Sequence, residues 1–117
     1  MFIEPDPRQI ETAARLGAPV VELHTVAYCE AALTGLDVAP WLERLANAAR
    51  LAAELGLEVH AGHGLTYDTV GAVSALPELA ELNIGHFLVG EAIFVGFEAS
   101  IRQMRRLMDE ARRSGAP

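Results

Sequence analysis

At 117 residues the chain has room for one core, and a domain of that size buries roughly two thirds of the surface its unfolded chain exposes. A formal net charge of -7 and a pI near 5.0 argue against nucleic-acid and membrane-surface partners, which need clustered positive charge, and no apolar run approaches the ~20 residues of a membrane span. All nine basic residues are Arg, which removes any Schiff-base lysine and with it the lysine-dependent aldolases and the pyridoxal-phosphate-bound enzymes.

The opening Met1-Phe2-Ile3 is apolar and lacks the basic, apolar and cleavable regions of a signal peptide, so a cytoplasmic location is expected. Asp6-Pro7-Arg8-Gln9 reads as an N-cap, a proline at the first helical position and a capping-box Gln, predicting a helix from about Pro7 to Leu16. Gly17 is placed to end it, and Ala18-Pro19 prevents continuation. Val20 to Thr25 is a short β-rich run. A loop is then expected through Tyr28 and Thr34-Gly35, with the lone Cys29 as ordinary filler unable to form an internal disulfide.

Asp37 is placed to cap a long helix with Pro40 in its first turn. Trp41, Leu42, Leu45, Ala48, Ala49, Ala52 and Leu55 follow helical spacing, and Gly56 ends it. Leu57 to Gly62 predicts a third strand. Thr66 caps a helix bearing Val70 and Val73 that ends before Pro77, and Leu79 to Ile84 predicts a fourth strand. The stretch from Phe87 to about Arg113 reads as helix broken near Gly96. The order βαβαβαβα with short connections predicts an α/β chain of parallel strands and outer helices, a (βα)4 half of a TIM (β/α)8 barrel forming a single domain over 1–117. An open flavodoxin-type sheet would make its strands almost continuously hydrophobic, and these are not.

Strand side chains alternate faces, so Val21, Leu23, Val59, Ala61, Leu82 and Ile84 form an apolar set toward the helices. The other face collects Glu22, His24, Glu58, His60, Glu81 and Asn83. These groups either satisfy one another or form a site, and their convergence on the C-terminal strand ends, where barrel active sites lie, favours the site. Ala61-Gly62-His63-Gly64-Leu65-Thr66 and Asn83-Ile84-Gly85-His86 each follow a strand and open a helix. Such glycine turns let backbone N–H groups approach an anion at a helix N-terminus, so a phosphate site is expected around Gly64 and Gly85. His63, in a loop beside those donors, suits general acid or base work because an imidazole titrates near neutrality. Glu22 is a candidate for steadying positive charge on a substrate. His24 and His60 read as structural, and the spacing of the histidines demands no metal.

Three segments, Glu-Leu-His-Thr at 22–25, Ala-Gly-His-Gly-Leu-Thr-Tyr at 61–67 and Glu-Leu-Asn-Ile-Gly-His at 81–86, together with Phe-Ile-Glu-Pro-Asp-Pro at 2–7 and Met-Arg-Arg-Leu-Met-Asp-Glu-Ala-Arg at 104–112, resemble the pyridoxine 5'-phosphate synthase family almost end to end. The resemblance implies condensation of 1-deoxy-D-xylulose 5-phosphate with 3-amino-2-oxopropyl phosphate, without metal or organic cofactor, in a homo-oligomeric enzyme of vitamin B6 biosynthesis. It implies that His63 is the proton donor, that Glu22 stabilises the transition state, and that Gly64, Gly85 and His86 bind the aminoketone phosphate. Val26-Ala27 departs from the family's usual glycine-containing turn, and His60 stands where Asn is common. By this resemblance the chain is strands five to eight of the barrel, with the first four strands and their share of the active site absent. An isolated half is then expected to be inactive and to need a partner. The alternative is a catalytically silent half-barrel that binds phosphate ligands or only associates.

Overall fold

The computed structural model describes residues 1–115; the last two residues of the expected 1–117 domain lie outside that range. The chain runs β1 (Phe2–Ile3), α1 (Pro7–Arg15), β2 (Val20–His24), α2 (Val26–Leu33), α3 (Ala39–Glu54), β3 (Glu58–Gly62), α4 (Tyr67–Ser74), β4 (Leu79–Asn83), α5 (His86–Val95) and α6 (Phe97–Gly115). All strand pairs are parallel, and the strands lie side by side in chain order, β1-β2-β3-β4. The α/β class and the succession of βα units are as the sequence predicts.

Local chemistry sets the element ends. The Asp6 carboxylate accepts the Arg8 N–H at 2.9 Å with Pro7 at the first helical position, so α1 starts where expected. Gln9 does not close a capping box on Asp6; its carbonyl accepts the N–H of Glu4 at 3.0 Å, because the Asp6 N–H is already bound to the Glu4 carbonyl. Asp37 accepts the Ala39 N–H at 3.1 Å at the start of α3. A left-handed glycine follows α1 and α3, Gly17 at φ 80° and Gly56 at φ 81°. Gly96, at φ 86°, separates α5 from α6 at the break the sequence predicts.

The expected loop through Tyr28 is wrong. Residues 26–33 form α2, and its Tyr28 and Ala31 are buried. Nothing periodic announces this helix, because only one short side of it packs. Its Ala, Glu and Leu content permits helix, and burial of the Tyr28 ring over the neighbouring α4 decides the matter.

Val21, Leu23, Val59 and Ala61 point to the helical side and are at most 1% exposed, packing against Ile10, Ala13, Leu45, Ala49 and Ala52. In β4 strict alternation would place Leu79 with the polar set. Instead the register against β3 shifts: Val59 pairs with Leu79 but His60 pairs with Glu81, leaving Ala80 as the extra residue. That bulge turns Leu79 into the core and keeps Glu81 and Asn83 on the opposite face. The polar face thus survives on three strands as expected, by a device the pattern of residues did not reveal.

Ile10 is fully buried between α1 and the sheet, so Ile10→Ala should lower the free energy of unfolding by about 2–5 kcal/mol. Leu33→Ala, at a position 87% exposed, should change it by no more than about 0.5 kcal/mol. Denaturant melts of the two variants check the assigned inside and outside of the layer.

Candidate functional site

Two rows of side chains stand on the face turned away from the helical layer. In the lower row Glu22, His60 and Glu81 are neighbours across β2, β3 and β4; in the upper row His24, Gly62 and Asn83 are neighbours. The lower row is largely self-satisfied. His60 Nε2 lies 2.7 Å from a Glu58 oxygen and its Nδ1 lies 3.2 Å from a Glu81 oxygen. Both ring nitrogens of His60 are thus occupied by carboxylates of the same face.

Glu22 behaves differently. Its carboxylate reaches up to the strand ends, where Oε1 accepts from Asn83 Nδ2 at 2.8 Å. The reach depends on Gly62, which lies between the two. A Cβ built there would sit 2.6 Å from the Asn83 carbonyl oxygen and 2.9 Å from Glu22 Oε2. Asn83 was legible only as one more polar residue. Its partnership with Glu22 follows from the shifted register of β4, which no local spacing encodes.

The loop after β3 is anchored from β2. The buried Thr25 hydroxyl lies 2.7 Å from both the Gly62 and the His63 carbonyl oxygens, and the Thr25 N–H donates to the Gly62 carbonyl at 3.0 Å. These contacts hold two successive residues in the left-handed region, His63 at φ 82° and Gly64 at φ 90°. Glycine adopts that conformation freely. For histidine it costs about 1–2 kcal/mol, and strain of this kind is retained where the surrounding structure enforces it. In sequence Thr25 is simply the last member of a strand, and only the tertiary contacts show it as a support for this loop.

On the far side, Gly85 caps α5, whose first turn carries N–H groups with no intrahelical acceptor. The Tyr67 ring at the start of α4 meets the Phe87 ring edge-on, with centroids 4.6 Å apart, and the Tyr67 hydroxyl donates to the Ser100 carbonyl at 3.2 Å. The loops after β3 and β4 are thereby tied together. The result is an open cavity of about 840 Å³ lined by Glu22, His63, Gly64, Asn83, Gly85 and His86 among others. All five residues singled out in the sequence, His63, Glu22, Gly64, Gly85 and His86, border this one space. His24 does not line it, although its ring stacks on that of His63.

Behind the His63 loop the Cys29 thiol packs near Gly64 and Thr69. Burial pushes the thiol pKa up, opposed by the Thr69 and Thr25 hydroxyls, so it stays protonated and poorly nucleophilic near neutrality. The Tyr28 phenol is also raised, first by burial and then by the charge Cys29 would carry, and it donates to the Thr69 carbonyl at 3.0 Å. Among the described residues no cluster of three His, Cys, Asp or Glu side chains is arranged to hold a metal ion.

Gly62→Ala should destabilise the chain by about 1–3 kcal/mol, because the Asn83 backbone cannot yield to the new methyl, and it should part Glu22 from Asn83. Gly71→Ala in the interior of α4, where the methyl meets nothing, should instead stabilise by about 0.5–1 kcal/mol. Urea titration, with the Asn83 side-chain amide signals read by NMR, tests both.

A family model described as "Pyridoxal phosphate biosynthesis protein PdxJ" matches residues 1–110. The pyridoxine 5'-phosphate synthase of Rhodospirillum rubrum is 64% identical over 115 residues, covering 98% of this chain and 46% of that protein. Those of a Jannaschia species and a Caulobacter species are 61% and 60% identical, each covering 96% of this chain and 46% and 45% of the relative. The chain spans about half the length of the curated relatives it matches.

Proposed function

The chain belongs to the pyridoxal phosphate biosynthesis protein PdxJ family, and from that premise we propose that it is the phosphate-binding, proton-donating half of a pyridoxine 5'-phosphate synthase. The observation that carries the reading is the convergence of His63, Glu22, Gly64, Gly85 and His86 on one cavity of about 840 Å³. In this reading the substrates are 1-deoxy-D-xylulose 5-phosphate and 3-amino-2-oxopropyl phosphate, which condense to close the pyridine ring with release of phosphate and water.

Each residue has a part suited to its place. The backbone of Gly64 and Gly85 and the first turn of α5 present N–H groups to the phosphate of the aminoketone, and exposed His86 adds a ring donor. Glu22, held by Asn83 through one oxygen, keeps the other for positive charge developing on the substrate nitrogen or carbon. The His63 ring nitrogens have no hydrogen-bond partner among the described residues, which leaves the imidazole free to deliver a proton to a departing oxygen. No step calls for a metal or organic cofactor.

We place the chain as strands five to eight of a (β/α)8 barrel, one domain working in the cytoplasm. Within the described residues β1 and β4 are each paired on one side only, and α5 with the start of α6 exposes Ile93, Phe94, Val95 and Phe97, an apolar surface that calls for cover. Four further βα units completing the barrel, within a homo-oligomer, would supply it.

Two experiments bear on this. Inorganic phosphate should bind the chain, and Gly85→Val should weaken it about tenfold or more. A Cβ at Gly85 meets nothing of the chain within 4 Å and so projects into open space, so the variant should fold normally while occupying the room an anion needs. Unchanged affinity by calorimetry would remove the site. In a synthase containing this segment, His63→Asn should cut turnover by about 10²- to 10⁴-fold with little loss of stability, since Asn also tolerates the left-handed backbone. Parallel loss of stability and activity would favour a structural role.

A further inference from the structure

His63 is held in an unusual way. Its backbone is fixed at φ 82° by Thr25, yet its side chain enters no hydrogen bond or ion pair among the described residues. The ring contacts are aromatic: His24 stacks on it at 5.3 Å between centroids with 26° between planes, and Phe2 lies tilted at 6.2 Å. Phe2 in turn stacks on His24 at 4.7 Å and 15°. The three rings form a triangular cluster that joins β1, β2 and the loop after β3, each ring next to the other two. The His24 ring is itself fixed, because its Nδ1 accepts the N–H of Val26 at 3.3 Å, which leaves the ring hydrogen on Nε2.

We propose that His24 is a positioning residue for His63: an aromatic plate, pinned by the Val26 N–H and packed beside Phe2, that sets the direction of the His63 imidazole toward the cavity holding Glu22. The physical need is clear. A proton donor must be placed to within a fraction of an ångström to transfer a proton well, and an imidazole without hydrogen-bond partners turns about its side-chain torsions unless a surface restrains it. Stacking of aromatic rings favours one ring orientation severalfold while leaving both nitrogens of His63 open to substrate. A conventional hydrogen-bonded orienter would occupy one of them. The function assigned to the stack rests on the reading of His63 as proton donor; the stack itself does not.

The test separates the plate from the pin. His24→Phe keeps an aromatic ring but loses the acceptor, whereas His24→Asn keeps a polar acceptor and loses the ring. In NMR spectra of the full chain at alkaline pH, where protonation does not contribute, the His63 ring protons should be shifted upfield by the stack. They should keep that position in His24→Phe and move downfield toward an unstacked imidazole in His24→Asn, at similar melting temperatures. His63 signals that do not move in His24→Asn, or move as far in His24→Phe, overturn the proposal. Should His24→Asn fail to fold, the unsubstituted chain still decides, since the stack requires through-space cross-peaks between the His24 and His63 ring protons and their absence overturns it. These signals report the stack whether or not His63 transfers a proton, which the turnover of His63→Asn measures separately.

Discussion

The arrangement at the strand ends depends on the missing side chain at Gly62. This residue lies between His24 of β2 and Asn83 of β4 in the sheet register. Its bare Cα leaves the gap through which the Glu22 carboxylate rises to meet Asn83, and its carbonyl takes the Thr25 N–H and hydroxyl that fix the following loop. The placement of the carboxylate therefore rests on a position that tolerates no Cβ, and the backbone carbonyl of the same residue helps to anchor the loop that carries the imidazole.

The two faces of the sheet divide the labour between stability and chemistry. The helical side buries Val21, Leu23, Val59 and Ala61 almost completely, and each such side chain contributes about 1–3 kcal/mol by leaving water. The opposite face holds partly exposed polar pairs. The His60–Glu58 and His60–Glu81 contacts involve carboxylates that are 56% exposed, where screening by water leaves such pairs worth about 0–1 kcal/mol. The polar face thus adds little to stability, and its residues are free to be chosen for what they hold in place. His60 contacts Glu58 and Glu81 in the lower row, while the Glu22 carboxylate and the His63 ring border the cavity above it.

Strain and support meet in the same loop. His63 occupies backbone space that suits glycine, and Thr25 pays for it with hydrogen bonds from a different strand. Behind the loop, α2 packs Tyr28 and Cys29 against Thr69 and Gly64. The helix expected as a loop is thus the back wall of the site. It keeps the Cys29 thiol protonated by burial and holds the His63-Gly64 turn against the mouth of the sheet.

Much of this was determined by the sequence alone, because the controlling forces are local. Asp6-Pro7 and Asp37 start helices, Gly17, Gly56 and Gly96 end or break them, and period-two alternation separates the two faces of β2 and β3. The glycine turns at Gly64 and Gly85 and the candidates His63 and His86 were legible because they follow strands and lead into helices, and Glu22 because alternation within β2 puts it on the polar face. Only the tertiary structure decided the rest. Residues 26–33 have no strong periodicity, so packing against α4 made them helical. The Ala80 bulge, which carries Leu79 to one face and Asn83 to the other, is a property of pairing with β3. The partners of His63 and Glu22 are His24, 39 positions away in the chain, and Asn83, 61 positions away. Contacts at such separations depend on strand register and on the space left by Gly62, and no window of the sequence contains both.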